Sequence, residues 1–274
     1  MILAWVPFGL YAAAAAAYLA HFSHPSKRAG RLATALLGGA ALAHTFLIGM
    51  QTMEAGYAPL VGTTAAISAF VWLLGLAYLY VELTTDERAM GAFVTVLLTV
   101  LAILPALHTE IDERPALLRS PLFTIHVLSM LFAYASFALA FVLGITYVLL
   151  FKEIKAKHLG FFYARLPSLQ MLDVMNGRVV TIGWVFLTLG IAVGGIWAMR
   201  ITTSADPRVD QMSIGDPKIL IALLSWALYS FAVLARPAIG WTGRRAAWLS
   251  AIGFAIVLLN FVPVGYFLTR SHNF

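Results

Sequence analysis

Among the acidic and basic residue types Asp, Glu, Lys, Arg and His, only histidine lies well inside the long apolar runs of this sequence. His44 stands about six residues before the end of one run and His126 about six residues after the start of another, which places both imidazoles roughly 8–10 Å below one membrane surface. Because a neutral imidazole enters lipid without a charge and ligates iron, two histidines at matched depth suit an axial pair for a haem iron. The alternative is that each packs against a neighbouring hydroxyl, such as Thr45, Thr124 or Ser129.

The other five histidines lie at or beyond the ends of the apolar runs. His108 falls in a loop and His272 in the C-terminal tail, both on the side that the charge distribution assigns to the outside. Each is either an iron ligand near the membrane surface or a solvated loop residue. His21, His24 and His158 lie at the opposite boundary and are interpreted as boundary residues.

The apolar runs that carry these histidines account for almost the whole chain. Of 274 residues, 61% are hydrophobic and 11% charged, with a mean hydropathy of +0.88, whereas a soluble domain carries about 25% charge. Since a membrane-spanning helix needs roughly 20 apolar residues, we predict an all-α integral membrane protein, one domain over 1–274, built as a bundle of eight transmembrane helices. The predicted spans are about 2–22, 32–50, 60–82, 91–107, 121–151, 179–199, 218–235 and 246–268.

The basic residues between the spans predict the orientation of the bundle. Twelve lysines and arginines fall in one set of connecting segments and six in the other. The positive-inside rule places the richer set in the cytoplasm, so both termini face outward, as in a multi-pass protein of the bacterial inner membrane. The net charge of +6 therefore reflects topology in a lipid bilayer and gives no indication of nucleic-acid binding.

Several function classes are disfavoured by what the sequence lacks. With no cysteine, the chain forms no disulfide, thiol redox pair or thiolate metal site. No acidic or basic residue lies at mid-membrane depth, which argues against an ion-coupled transporter, although a small-solute pathway lined by serine, threonine and histidine stays open. The connection 152–178 is either a helix along the membrane interface or a plain connector.

From about residue 44 to the C-terminus, a series of segments resembles a known family. In their order and spacing they are similar to the cytochrome c assembly family, the CcsA/CcmC/HemX-like integral membrane proteins that handle haem. The segments are GYAPL at 56–60, ISAFVWLLGLAYLYVE at 67–82, PLFTIHVLSMLFAYASFALAF at 121–141, LPSLQMLDVMNGRVVTIGWVFLTLGIAVGGIWA at 166–198, DPK at 216–218 and GWTGRRAAWLSAIGFAIVLLNF at 240–261.

The resemblance implies a haem cofactor, expected to be b-type, held near the outer leaflet and delivered to a partner. In that family a tryptophan-rich outer segment lies between two flanking histidines. By position, His126 resembles the first of these and His272 the second, while His44 is a further candidate iron ligand. The implied partners are haem, other membrane proteins of cytochrome c assembly, and apocytochrome c.

The same resemblance extends to the segment between the histidines. Trp197 matches its first tryptophan and is expected, with neighbouring aromatics, to contact the macrocycle. Asp216 and Lys218 belong to its closing DPK. Arg200 or Lys218 is expected to pair with the haem propionates. The role implied is that of a haem-binding transfer or assembly factor rather than a classical enzyme. Enzymatic turnover stays open, because holding haem and catalysing its attachment leave the same marks on one chain.

Two departures favour a second interpretation. The segment 199–215 contains no aromatic residue, and Leu234 stands where haem-exporting members carry a histidine two residues before an arginine, here Arg236. Both features resemble the HemX-like branch. The alternative function is therefore a non-catalytic regulatory or scaffold protein of haem biosynthesis or cytochrome assembly.

Overall fold

The structure is entirely helical over the residues that it describes. It is a computed structural model describing residues 2–60, 62–108, 116–157, 160, 163–201 and 217–259. Within these residues it contains eight α-helices and two short 3₁₀ turns, Ile2–Ala4 and Ala116–Arg119. The α-helices are α1 Trp5–Ser23, α2 Lys27–Ala55, α3 Thr63–Thr85, α4 Gly91–Leu107, α5 Pro121–Lys155, α6 Leu169–Ile201, α7 Pro217–Ile239 and α8 Arg244–Leu259.

Each predicted span corresponds to one of these helices, and five of them are long and apolar enough to cross a bilayer. Those five are Lys27–Ala55, Thr63–Thr85, Pro121–Lys155, Leu169–Arg200 and Pro217–Ile239. The chain is therefore an all-helical, multi-pass membrane protein by length and composition. The eight-span count and the outward termini stay predictions.

Two helices extend well beyond their predicted apolar spans at the N-terminal end. α2 begins at Lys27 rather than near residue 32, and α6 at Leu169 rather than near residue 179. The extra turns carry charged and polar side chains, which a hydropathy pattern excludes but which a helix accommodates outside the lipid. The connection 152–178 is thus divided between the end of α5 and the start of α6.

α5 begins with a well-defined capping arrangement. The Ser120 hydroxyl accepts a hydrogen bond from the Phe123 N–H at 3.2 Å, and Pro121 occupies the first helical position. Serine at the cap and proline directly after it both favour a helix start. The sixth helical residue is His126, so this cap sets the position of the histidine relative to the helix end.

α5 lies at the centre of the packing, in contact with α3, α6 and α8. Phe137, Leu139 and Leu143 on α5 are almost completely buried. The ring of Tyr229 on α7 stacks on Phe137, with ring centroids 3.5 Å apart. α1 packs against α2 and α4. The element that carries His126 is therefore held on several sides.

Two arginines show which helix ends lie together. Arg165 donates to the carbonyl of Ser23 at the end of α1, and Arg178 donates to the carbonyl of Thr84 at the end of α3, at 2.7 Å. The ends of α1 and α3 and the start of α6 therefore meet, and we call this the basic end of the bundle. It is the predicted cytoplasmic end. Arg178 and Trp197 are both on α6, about 28 Å apart along the helix axis, so the start of α5 lies at the opposite end.

Candidate functional site

His126 is held by a hydrogen bond to the backbone of the neighbouring helix. Its Nδ1 lies 2.8 Å from the carbonyl oxygen of Gly190 on α6. Because a carbonyl only accepts hydrogen bonds, Nδ1 is the donor, and in the neutral ring Nε2 carries the lone pair. This is the arrangement by which metal-ligating imidazoles are oriented in proteins, with one nitrogen held by a carbonyl and the other able to ligate.

Glycines on α6 allow His126 to approach so closely. A Cβ added at Gly194 would lie 2.5 Å from Nδ1 of His126 and 2.7 Å from its Cε1. A Cβ at Gly190 would lie 2.8 Å from the sulfur of Met130. The GIAVG sequence at 190–194 is thus a small-xxx-small surface against α5, of the type that brings transmembrane helices together. By contrast, a Cβ at Gly195 would meet nothing within 4 Å.

Trp197 lies in a small apolar cluster beside this histidine-bearing turn. Its side chain is 5% exposed, and its ring meets Phe123 edge to face with centroids 5.0 Å apart. Leu118 completes the buried cluster, and Leu122 and Val127 pack against it. The indole therefore braces the start of α5 rather than presenting an open face for stacking. Its Nε1 is buried and has no hydrogen-bond partner in the part of the chain that the structure describes.

Both predicted propionate partners, Arg200 and Lys218, lie at the same end of the bundle as His126. Arg200 is exposed in the last turn of α6, one turn beyond Trp197. Lys218 lies in the first turn of α7, and Arg236 near the far end of that helix bonds to Asp173 at the basic end. Asp216 and His272 lie outside the described residues.

His44 occupies a different polar network, among α1, α2 and α3. It is 3% exposed. Its Nδ1 lies 3.2 Å from the Tyr11 hydroxyl and its Nε2 lies 2.9 Å from the Ser68 hydroxyl. Hydroxyl partners for His44 are therefore found, but Thr45 is not one of them, since it bonds to the Ala41 carbonyl and to the Trp72 indole. None of the hydrogen bonds of His44 reaches His126.

Comparison with known proteins identifies the family of this chain. The family model described as "Cytochrome C assembly protein" matches residues 60–272. The chain belongs to the cytochrome c assembly family. The resemblance inferred from the sequence segments is thereby confirmed. The matched region of the family contains His126, Trp197, Lys218 and His272, whereas His44 precedes it.

Several individual relatives align over most of their length. The chain is 26% identical over 250 residues to "Cytochrome c biogenesis protein CcsA" of Guillardia theta, covering 84% of this chain and 81% of that protein. It is 24% identical over 289 residues to the protein of the same name from Synechococcus elongatus, covering 89% and 87%. It is also 26% identical over 270 residues to "Protein HemX" of Brevibacillus brevis, covering 96% and 94%.

The side chains around His126 are compatible with a haem group, the cofactor that the resemblance to this family implied. Among the described residues, no group of three or more histidines and carboxylates is placed to hold a metal ion alone. A haem iron needs only axial ligands from the protein, and one oriented imidazole in apolar surroundings meets that need. The unsatisfied Nε1–H of Trp197 is a buried donor with which an added acceptor group is able to pair.

The sequence analysis did not predict the ion pair between Arg236 and Asp173 at the basic end of the bundle. Arg236 of α7 donates to both carboxylate oxygens of Asp173 on α6, at 3.0 and 2.7 Å, and the Gly243 N–H donates to the same carboxylate at 2.8 Å. Asp173 thereby joins α6, α7 and the turn before α8. The available signal was Asp173 in a mostly basic connecting segment whose other acid is Glu153. Arg236 was considered only among the basic residues and as the arginine that follows Leu234 in the family pattern.

Proposed function

We propose that this protein holds haem near the outer leaflet and passes it to a partner during cytochrome c maturation. The observation that carries the proposal is the hydrogen bond from Nδ1 of His126 to the Gly190 carbonyl, within the region matched by the family. It keeps the ring in the tautomer that ligates iron through Nε2. The names of the CcsA relatives support a role in cytochrome c biogenesis.

Other residues take supporting roles in the proposal. His126 is one axial ligand, and His44 or His272 is the second. To ligate iron, one ring nitrogen of His44 must first give up its hydrogen bond to Tyr11 or to Ser68. The cations at the same end, Arg200 and Lys218, pair with the propionates.

The proposal divides the chemistry between cofactor and protein. Haem, which we take to be b-type, supplies the iron and the ring substituents at which attachment takes place, whereas the chain supplies orientation and an apolar site. Apocytochrome c and other assembly proteins are the proposed partners. The proposed location is the bacterial inner membrane, which accords with the near full-length similarity to the Brevibacillus protein.

A second candidate function is regulation or scaffolding without haem transfer. It is favoured by the segment 199–215, which contains no aromatic residue. The similarity to "Protein HemX", covering 96% of this chain, also favours it. Leu234, at the position where haem-exporting members carry a histidine, is 59% exposed on the surface of α7 and offers no ligand.

A complementation experiment separates the two candidates. The chain is expressed in a bacterium lacking its own CcsA-type protein, and covalently attached haem is measured in its c-type cytochromes. The proposal predicts that the wild type restores attachment, that His126→Ala does not, and that His24→Ala, an exposed control at the basic end, behaves as the wild type. No restoration by the wild type, together with altered levels of haem precursors, would support the second candidate.

A further inference from the structure

The basic end of the bundle contains a cavity that the proposed haem site does not use. It has a volume of about 420 Å³ and lies where the turn between α1 and α2 meets the turn between α3 and α4. His126 and Trp197 lie at the opposite end of the bundle. A function of this cavity is therefore independent of the haem proposal.

The lining of the cavity is predominantly cationic. Lys27, Arg31 and Arg88 line it, against one carboxylate, Asp86. Asp86 pairs with Arg88, at 2.8 Å from its Nη1. No ion pair within 4.0 Å joins Lys27 or Arg31 to any carboxylate among the described residues. Within the described part of the chain, Lys27 and Arg31 thus have no ion-pair partner.

Arg88 is held in position by a buried carboxylate. Glu82 is completely buried and accepts hydrogen bonds from the Tyr18 hydroxyl, at 2.6 Å, and from the Thr34 hydroxyl. The Nε of Arg88 lies 3.8 Å from Glu82 and donates to Thr34 at 3.2 Å. The guanidinium is therefore fixed before any ligand arrives, which reduces the conformational entropy that binding would cost.

The floor of the cavity is shaped by Gly30. A Cβ at this position would lie 2.9 Å from Cδ of Arg88 and 3.2 Å from Cε1 of His21. His21 also lines the cavity, and its Nδ1 accepts a hydrogen bond from the Ser26 N–H at 3.3 Å. The cavity also includes Ser26 and Lys27 at the start of α2, where the positive end of the helix dipole adds to the charge.

We propose that this cavity binds the phosphate group of an anionic ligand, carried either by a phospholipid headgroup of the adjacent leaflet or by a soluble phosphate compound. Guanidinium and ammonium groups are the usual phosphate partners in proteins. Basic pockets between transmembrane helices at the cytoplasmic side bind anionic headgroups. The cavity lies at the end of the bundle where the charge distribution predicts that side.

The test compares two double variants of the full-length protein purified in detergent. Lys27→Gln with Arg31→Gln removes two cations of the cavity lining. Lys152→Gln with Lys155→Gln removes the same charge from the exposed end of α5, outside the lining. One arm titrates phosphatidylglycerol against phosphatidylcholine and counts bound lipid by native mass spectrometry. The other arm measures thermal unfolding with inorganic phosphate.

The expected results identify the source of the phosphate. If it is lipid, the cavity variant binds phosphatidylglycerol roughly 10- to 30-fold more weakly than the wild type, while the control variant stays within about twofold. If the source is soluble, inorganic phosphate raises the unfolding temperature of the wild type and of the control, but not of the cavity variant. Because Lys27 and Arg31 are exposed, the variants are expected to fold. Each single substitution is expected to weaken phosphatidylglycerol binding about fivefold.

Two results would overturn the proposal. One is an equal loss of lipid binding in the cavity and control variants, which would mean that only overall charge matters. The other is the absence of any effect in both arms. Neither result bears on the haem site, because none of these substitutions lies at that end of the bundle.

Discussion

Nδ1 of His126 and the carbonyl oxygen of Gly190 lie 2.8 Å apart, across the contact between α5 and α6. The bond is made possible by a run of small residues on α6, and it selects the ring tautomer with its lone pair on Nε2. The Gly190 carbonyl thus orients the histidine on which the proposed haem site depends.

Adjacent glycines provide a test of this orientation. Gly194→Ala places a Cβ 2.5 Å from Nδ1 of His126, whereas Gly195→Ala places one in open space. We expect Gly194→Ala to weaken haem binding roughly 10- to 100-fold, the effect usual for changes to groups that orient a ligand. Gly195→Ala is expected to bind haem as the wild type does. The measurement is a haem titration followed by absorbance, and equal affinities for the two variants would contradict the orientation account.

His44 is predicted to contribute more to stability than to haem binding. Its two ring nitrogens are already bonded to Tyr11 and Ser68. His44→Ala breaks both bonds, so we expect it to lower the free energy of unfolding by about 1–2 kcal/mol while haem per folded protein stays unchanged. Thermal unfolding and the haem absorbance of one preparation give both quantities. Loss of haem without loss of stability would instead identify His44 as the second axial ligand.

The ion pair at the basic end is expected to be structural. Asp173→Ala removes the carboxylate that accepts from Arg236 and from the Gly243 N–H, while the bond from Arg236 to the backbone carbonyl of residue 173 stays. The side chains of Asp173 and Arg236 are 17% and 25% exposed. We expect a loss of about 1–3 kcal/mol in the free energy of unfolding, below the cost for a fully buried pair. Glu54→Ala, at an exposed acid on α2, is the control and should change stability little. Equal stabilities of the two variants would show that the pair contributes nothing measurable.

The absence of cysteine makes the predicted orientation directly testable. Ser26→Cys introduces a thiol in the turn between α1 and α2, and Glu54→Cys introduces one near the other end of α2. If the positive-inside assignment holds, an impermeant maleimide labels only Glu54→Cys in cells with a permeable outer envelope and an intact inner membrane. Labelling of Ser26→Cys should require disruption of the inner membrane. The reverse pattern would invert the topology.

The sequence predicted the helical elements well because each apolar run is itself the signal for a membrane helix. It placed the ends of α2 and α6 poorly, since their first turns are polar and lie outside the apolar pattern. The family, too, was predictable from ordered segments and is confirmed by the match over 60–272.

Side-chain contacts between helices were harder to predict than the helices themselves. The sequence analysis predicted that a hydroxyl group would bond to His44, but it did not identify Tyr11. Tyr11 is 33 residues away in sequence, and no local pattern connects the two residues. The Gly190 partner of His126 was within reach of sequence reasoning, because GIAVG is a recognisable close-packing motif. The burial of Trp197 among Leu118 and Phe123 depends on how helix ends meet, which hydropathy does not encode.

The central claim is that His126 ligates haem, and the absorption spectrum tests it most directly. Wild type, His126→Ala and His24→Ala are purified from haem-replete membranes and recorded oxidised and reduced. We predict a Soret band that shifts on reduction in the wild type and in His24→Ala, and that is lost or strongly weakened in His126→Ala. A wild type without stoichiometric haem, or an unchanged spectrum in His126→Ala, would contradict it.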